Sequence, residues 1–500
     1  MTLGRRRGLA ALSGLLLWLS FPNVFALHFQ PWTAGVAWFA LVPLCWALWR
    51  EAPAQAFRLG LFSGFVFYTL SLSWLTNIKP MGVAAYPAWI CLALWCALFT
   101  ALWSAAAAWV SRRDSPLPLI ALAACWSLLE FLREHLVSGF PWVSLGSSQV
   151  FNAALLPLDS ITGPLGLHFA VALGNLALFA LLIEQRLLLG LARSASVLLV
   201  FVLLMGAAHQ GRLNAVQVAG APTVKVGIIQ GGIDQDQAWT QAYRQALMHT
   251  YLGLSEAAVR EGAQVLLWPE SSYPGFFNEE GSEAKQLKDF ARRNHVDFLV
   301  GSTLEVQGGY WNAAVAIDSA GNTRVQAKRH LVPFGEYVPF RSSLPILDGA
   351  LTQLGLSDFL PGEEGPLLPL GALKARPLIC YESIFPALAR EGNSPDLLAV
   401  ITVDTWYGLS AGPSWHAGQC LMRAVENGCW VARSAATGIS LFASPQGQCL
   451  QPLGLDQSGY RVAAVYPGRL TFYHQHGDWL AWVLLLALIL CWGPAWLGKA

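Results

Sequence analysis

The chain has 500 residues, 55% of them hydrophobic and only 12% charged, about half the charged share of a soluble globular chain. The 31 basic and 30 acidic residues leave a net charge of +1, so there is no basic surplus for nucleic acid. The composition excludes an ordinary soluble protein and points to a membrane protein with a folded domain; the 22 tryptophans suit the bilayer interface.

In chain order, apolar stretches at 8–27, 32–49, 57–77, 82–110, 117–136, 162–184 and 187–208 are each near the ~20 residues a helix needs to cross a bilayer, and an eighth lies at 479–498. The first follows Arg5, Arg6 and Arg7 and has no small-residue cleavage site, so it reads as an anchor, not a signal peptide. Arg5, Arg6, Arg7, Arg50, Arg58, Arg112, Arg113 and Arg186 fall on one side of this arrangement, against Lys79 and Arg133 on the other. The positive-inside rule puts the first group, and so both termini, in the cytoplasm. Seven crossings then carry residues 209–478 out of it. The expected domains are a helical region 1–208, an extracytoplasmic region 209–478 and a closing span 479–500.

The extracytoplasmic region alternates strand and helix. Strands are expected at 224–230, 263–270, 296–306, 310–318, 376–380 and 396–403, and helices at 239–262, 282–294 and 414–428, with a hairpin through Gly308-Gly309. This is the pattern of an α/β domain with buried sheets. The nine cysteines are scattered, without a C-x-x-C or His-rich metal pattern, and no cofactor is implied.

Three words carry the chemistry. "LLWPESSYPG" puts Glu270 just past a buried strand, "QAKRHLVPFGEYVPF" puts Lys328 at a strand end with Glu336 in a Pro/Gly turn, and "PLICYES" puts Cys380 past another strand. Sites in helix-covered sheets collect beyond strand ends. A thiol is mostly protonated at neutral pH and attacks poorly. A carboxylate can take its proton, and an ammonium favours the thiolate and then an oxyanion. Glu270 as base, Lys328 as electrostatic stabiliser and Cys380 as nucleophile form a complete set without a metal. Taken singly, each has a plainer reading: a helix-capping glutamate, a solvated lysine, a core thiol.

Together, "WPES", "KRHLVPFGEYVP" and "ICYES" in this order resemble the carbon–nitrogen hydrolase (nitrilase) superfamily. The eight spans, the extended "KRHLVPFGEYVPF" and "GFPWVSLGSSQ" at 139–149 are similar to its membrane-bound branch, the apolipoprotein N-acyltransferases. The resemblance implies a polytopic helical membrane domain joined to a nitrilase-like αββα sandwich. It implies transfer of an acyl group from a phospholipid, phosphatidylethanolamine, through a cysteine thioester to the N-terminal amine of a diacylglyceryl-cysteine apolipoprotein. The implied location is the inner membrane of a Gram-negative-type bacterium, with the catalytic domain periplasmic. By matching words, Glu270, Lys328 and Cys380 resemble the base, oxyanion-stabilising lysine and nucleophile, and Glu336 a second essential carboxylate. The backbone N–H of Tyr381 resembles an oxyanion donor. Glu382 resembles a pocket residue, or else anchors a turn; Trp239 resembles an active-site tryptophan, or else starts a helix. Val403 and Gly232 depart from the family pattern, which often has Asn at each.

The apolar loop 339–362 reads as a lid at the bilayer surface or as a loop packed on its own domain, and Tyr273, Phe276 and Phe277 would add to that surface. Three other functions compete. "GLSAG" at 408–412, followed by Asp456 and His474, has the letters of a serine-hydrolase elbow, although no strand runs directly into Ser410. A transporter or sensor would carry a functional charge within its spans, for which Glu130 is the candidate. A membrane-tethered amidase would keep the Glu-Lys-Cys set and act on a small amide.

Overall fold

A computed structural model describes residues 1–25, 27–110, 118–183, 187–215, 222–233, 240–278, 280–339 and 359–497. They form two compact units. One comprises 1–214, 406–426 and 471–500, the other 215–405 and 427–470.

The first unit is helical. Helices Leu3–Leu19, Pro53–Ser71, Ala85–Val110, Pro118–His135, Pro164–Ile183 and Leu187–Asn214 follow the apolar stretches, and Trp479–Leu497 follows the last. Among the described residues, three helical stretches are long and apolar enough to cross a membrane: Met81–Val110, Pro164–Ile183 and Val197–Asn214. The stretch expected as one span at 32–49 is instead two short helices, Pro31–Val36 and Val42–Leu48. A break in an apolar setting leaves backbone groups that need partners. Asn175, fully buried on the helix Pro164–Ile183, supplies them: its Oδ1 accepts from the N–H of Leu41 and its Nδ2 donates to the carbonyl of Ala37, each at 2.8 Å.

The second unit holds two six-stranded sheets. In chain order the strands are β1 (Val224–Gln230), β2 (Val265–Leu267), β3 (Asp297–Val306), β4 (Gly309–Ile317), β5 (Thr323–Ala327), β6 (Leu368–Leu370), β7 (Leu373–Ile379), β8 (Leu397–Thr402), β9 (Trp430–Ala435), β10 (Ser440–Ala443), β11 (Cys449–Leu453) and β12 (Gly459–Val465). The sheet orders are β12-β1-β2-β3-β4-β5 and β11-β10-β9-β8-β7-β6. Each has three parallel central strands, β1-β2-β3 and β7-β8-β9, with antiparallel strands outside them.

The parallel strands are almost continuously buried, which is why they read as unbroken apolar runs. Val226, Ile228, Leu267 and Leu299 of the first sheet pack with Ala375, Ile379, Ile401 and Phe442 of the second in one core. Ser434 on β9 joins the sheets by donating to the carbonyls of Ile229 and Leu267, at 2.7 and 3.1 Å. Helices Gln241–Arg260 and Ser282–Asn294 close a second core over Leu266, Trp268, Phe298 and Val300. Tyr273 and Phe277 belong to that core and are buried, so of the aromatic trio assigned to a surface only Phe276 is exposed. Residues 340–358, most of the expected lid, lie outside the described residues, as does Trp239.

Candidate active site

Three strand ends deliver the three side chains singled out in the sequence. Past β2, the N–H of Trp268 donates to Leu299 O and that of Gly301 to Pro269 O, so the chain stays fixed against β3 up to Glu270. Ser271 then turns it away at a positive φ of 51°. Lys328 follows β5 directly, its N–H donating to Asn312 O at 2.7 Å. Cys380 follows β7 at a φ of +53°, in the left-handed region that L side chains rarely occupy. A non-glycine residue held there stores strain, a common feature of functional sites. The carbonyl of Cys380 accepts from Ser383 Oγ at 2.8 Å, closing the turn that starts at the cysteine.

The buried groups converge on shared donors. Lys328 Nζ donates to Glu336 Oε1 at 2.9 Å and lies 3.5 Å from Glu270 Oε1. Asn312 Nδ2 donates to the same two oxygens, at 2.7 Å to Glu270 and 2.8 Å to Glu336. The N–H of Val403 donates to Glu270 Oε2 at 2.9 Å, and its carbonyl lies 3.9 Å from Cys380 Sγ. Glu336 Oε2 accepts from the N–H of Val332 at 2.8 Å. At Val403, where the family pattern often has an amide, the contacts to Glu270 and Cys380 are made by the backbone.

The electrostatics follow from burial. Lys328 is 1% exposed. Burial works against its charge, but Glu336 and then Glu270 more than offset it and hold the ammonium above the ordinary lysine range. Burial pushes the Cys380 thiol well up and Glu270 adds to this; Lys328 offsets them only in part, and Asp404 raises the thiol further. The resting cysteine is therefore a neutral thiol, and attack requires a base that removes its proton. Asp404 itself is paired with Arg433 at 2.6 Å, both fully or nearly fully buried.

Glu382 is a clamp. Its Oε1 accepts from the N–H groups of Arg329 and His330, at 2.7 and 3.1 Å, and its Oε2 from Ile379 N–H at 2.8 Å. It thus ties the residues after Lys328 to the residue before Cys380. Burial raises its carboxyl and the backbone donors counter this in part. The ring of Tyr381 packs on Phe385 and His330, with centroids 5.0 and 5.6 Å away.

The sequence reading missed Asn312, Asp404 and Arg433. A lone asparagine inside the apolar "YWNAAVAID" was the available signal for the first: a buried amide within a strand needs partners.

The competing sites are not assembled. Ser410 follows the 3₁₀ turn Thr405–Tyr407, and its Oγ accepts from Gly412 N–H at 3.1 Å, so no strand feeds it as an elbow requires. Glu130 is paired with Arg133, which also donates to the carbonyls of Phe140 and Trp142. That ion pair fastens a helix to the following loop. Among the described residues no group of three or more His, Cys, Asp or Glu side chains could hold a metal.

Comparison with known proteins gives two family matches. The carbon-nitrogen hydrolase family matches residues 225–475, a stretch that includes Glu270, Lys328 and Cys380, and the apolipoprotein N-acyltransferase N-terminal domain matches 13–177. The apolipoprotein N-acyltransferase of Geobacter metallireducens is 34% identical over 495 residues, covering 95% of this chain and 92% of its own. That of Azotobacter vinelandii is 34% identical over 471 residues, covering 89% and 87%. Among solved structures, an amidase from Nesterenkonia sp. is 21% identical, covers 52% of this chain and 94% of its own, and has a TM-score of 0.39.

Proposed function

The chain belongs to the apolipoprotein N-acyltransferase family, and from that premise we propose that the acyl group rests as a thioester on Cys380 between a phospholipid donor and a lipoprotein acceptor. The protein is an acyltransferase of lipoprotein maturation, with a nitrilase-like domain, and it acts on lipoprotein substrates in a membrane. The observation that carries the thioester reading is the convergence of Glu270, Lys328 and Glu336 beside a buried Cys380.

In the first half-reaction Glu270 takes the thiol proton as sulfur attacks the ester carbonyl of phosphatidylethanolamine. Lys328 Nζ and the N–H of Tyr381 stabilise the oxyanion. The intermediate collapses to the thioester, and Glu270 returns the proton to the leaving lysophospholipid hydroxyl. In the second, the N-terminal amine of the diacylglyceryl-cysteine attacks the thioester, Glu270 takes a proton from that nitrogen, and the thiol is regenerated. Glu336 keeps Lys328 charged and in place through both. Trp239 is assigned to the acyl path by family resemblance alone.

The proposed setting is the inner membrane of a Gram-negative-type bacterium, with eight spans, both termini cytoplasmic and residues 209–478 periplasmic between a helical domain 1–208 and a closing span 479–500. The arginine distribution and the long apolar helices support it.

The experiment is direct. The protein is incubated with phosphatidylethanolamine and the peptide holding Cys380 is examined by mass spectrometry. An acyl adduct is expected in the wild type. Its absence there, or retained activity in Cys380→Ser, would sink the mechanism.

A further inference from the structure

We infer that Asn312 is a positioning residue for this acyl transfer: through one side chain and one carbonyl it fixes Glu270, Glu336 and Lys328 relative to one another, so that the base is held in place for the thiol proton. The inference rests on the thioester reading above and extends it to a residue that the sequence did not mark.

The geometry is specific. Asn312 lies on β4 and is 6% exposed. Its backbone carbonyl accepts the N–H of Lys328 at 2.7 Å, which fixes where the lysine leaves its strand. Its Nδ2 gives one hydrogen to Glu270 Oε1 at 2.7 Å and the other to Glu336 Oε1 at 2.8 Å. The amide cannot be reversed, because Oδ1 would then face two acceptors. Oδ1 has no hydrogen-bond partner among the described residues. An asparagine kept for packing would satisfy both ends on nearby backbone; this one commits its donor end to two carboxylates and leaves its acceptor end unmatched.

Charge accounts for the choice of an amide. Among the described residues, Lys328 Nζ is a cation that the two carboxylates share, 3.5 Å from Glu270 and 2.9 Å from Glu336. A general base must have its oxygen held within reach of the proton it takes, and the Asn312 hydrogen bonds fix Glu270 Oε1. A neutral group with two hydrogens serves both oxygens and adds no charge. A second cation would instead hold the base too firmly for it to take the proton. In the step itself the S–H bond breaks, its electron pair stays on sulfur and an O–H bond forms on Glu270, while both amide hydrogens stay on Asn312. The charged and titratable groups around that carboxylate are Lys328 beyond β5, Glu336 from the following turn and Cys380 beyond β7, with Asp404 beyond β8 facing the thiol.

The test follows single-turnover thioester formation against pH in the full-length protein with phosphatidylethanolamine, for wild type, Asn312→Ala, Asn312→Asp and Cys380→Ser. Loss of hydrogen bonds to charged groups predicts a rate about 10- to 100-fold lower for Asn312→Ala, with its acid limb moved to higher pH. Asn312→Asp keeps the size of the side chain, yet adds a third carboxylate, so its acid limb moves further. Wild-type rates and limbs in both variants would overturn the role of Asn312. So would a rate lowered equally at every pH, which marks loose packing alone. An adduct that persists in Cys380→Ser would overturn the thioester reading and the proposal with it.

Discussion

Glu382 Oε1 accepts the backbone N–H of Arg329 at 2.7 Å, so the carboxylate two residues past Cys380 holds the residue immediately past Lys328. The contact makes the separation of two strand ends a property of one side chain. Glu382→Ala leaves the N–H groups of Arg329, His330 and Ile379 without their acceptor. The orphaned buried donor of Ile379 alone costs about 1–3 kcal/mol. The expected result is a lower unfolding temperature in detergent together with loss of thioester formation. Full activity with reduced stability would limit Glu382 to a turn anchor with no bearing on the site.

Lys328→Met separates stability from chemistry. It leaves Glu270 and Glu336 facing one another without their shared cation, and breaking such a buried pair costs about 3–5 kcal/mol. Adding Glu336→Gln removes one of the two charges. The double variant is expected to regain much of the lost thermal stability while forming no acyl adduct. Recovery of the adduct in it would show that Lys328 serves only to neutralise Glu336.

Gly301 on β3 reports on Glu270 from behind. A Cβ there would lie 2.4 Å from the Cα of Glu270 and 2.4 Å from the carbonyl oxygen of Pro269. Both are main-chain or near-main-chain atoms that cannot swing aside. Overpacking of this kind costs about 1–3 kcal/mol, and here the strain falls on the segment carrying Glu270. Gly301→Ala is expected to fold and to lower the rate of thioester formation at least tenfold, a drop of about 1.4 kcal/mol in transition-state stabilisation. A rate within twofold of wild type would mean that Glu270 tolerates displacement.

The thiol offers a pH test. Burial and Glu270 raise Cys380 beyond what Lys328 offsets, so the thiolate fraction of the resting enzyme is small at neutral pH and grows as pH rises. Alkylation of Cys380 by iodoacetamide is therefore expected to be slower near neutrality than that of an ordinary exposed cysteine, and to keep climbing above the ordinary thiol range near 8.5. A plateau reached below that range would reverse the sign and make the resting group a thiolate.

The sequence was most legible where chemistry and periodicity coincide. β1 and the helix Ser282–Asn294 have the limits that their apolar patterns mark, and Glu270, Lys328 and Cys380 each follow a strand. Strands β9 to β12 were not read. β9 carries Arg433 in its middle, and a charge there looks like a strand breaker until its buried partner Asp404, 29 positions away, is known. β11 and β12 are only partly buried and lack a clean alternation. The stretch 32–49 looked like one span because apolar content ignores who receives the backbone groups; Asn175, more than a hundred positions on, makes the break possible. Asn312 was hidden for a related reason, since its partners come from two other segments of the chain.

The division of the chain into units also bears on how this protein could be inherited or taken apart. The helical unit takes residues 406–426 out of the middle of the sheet-bearing stretch, and the chain passes from one unit to the other after Asn214, Thr405, Glu426 and Leu470. No single cut frees either unit whole. A gene fragment spanning only the sheets would take along a helix native to the other unit, and one ending before them would leave that helix behind. Recombination at one junction therefore cannot exchange the whole sheet-bearing unit for another.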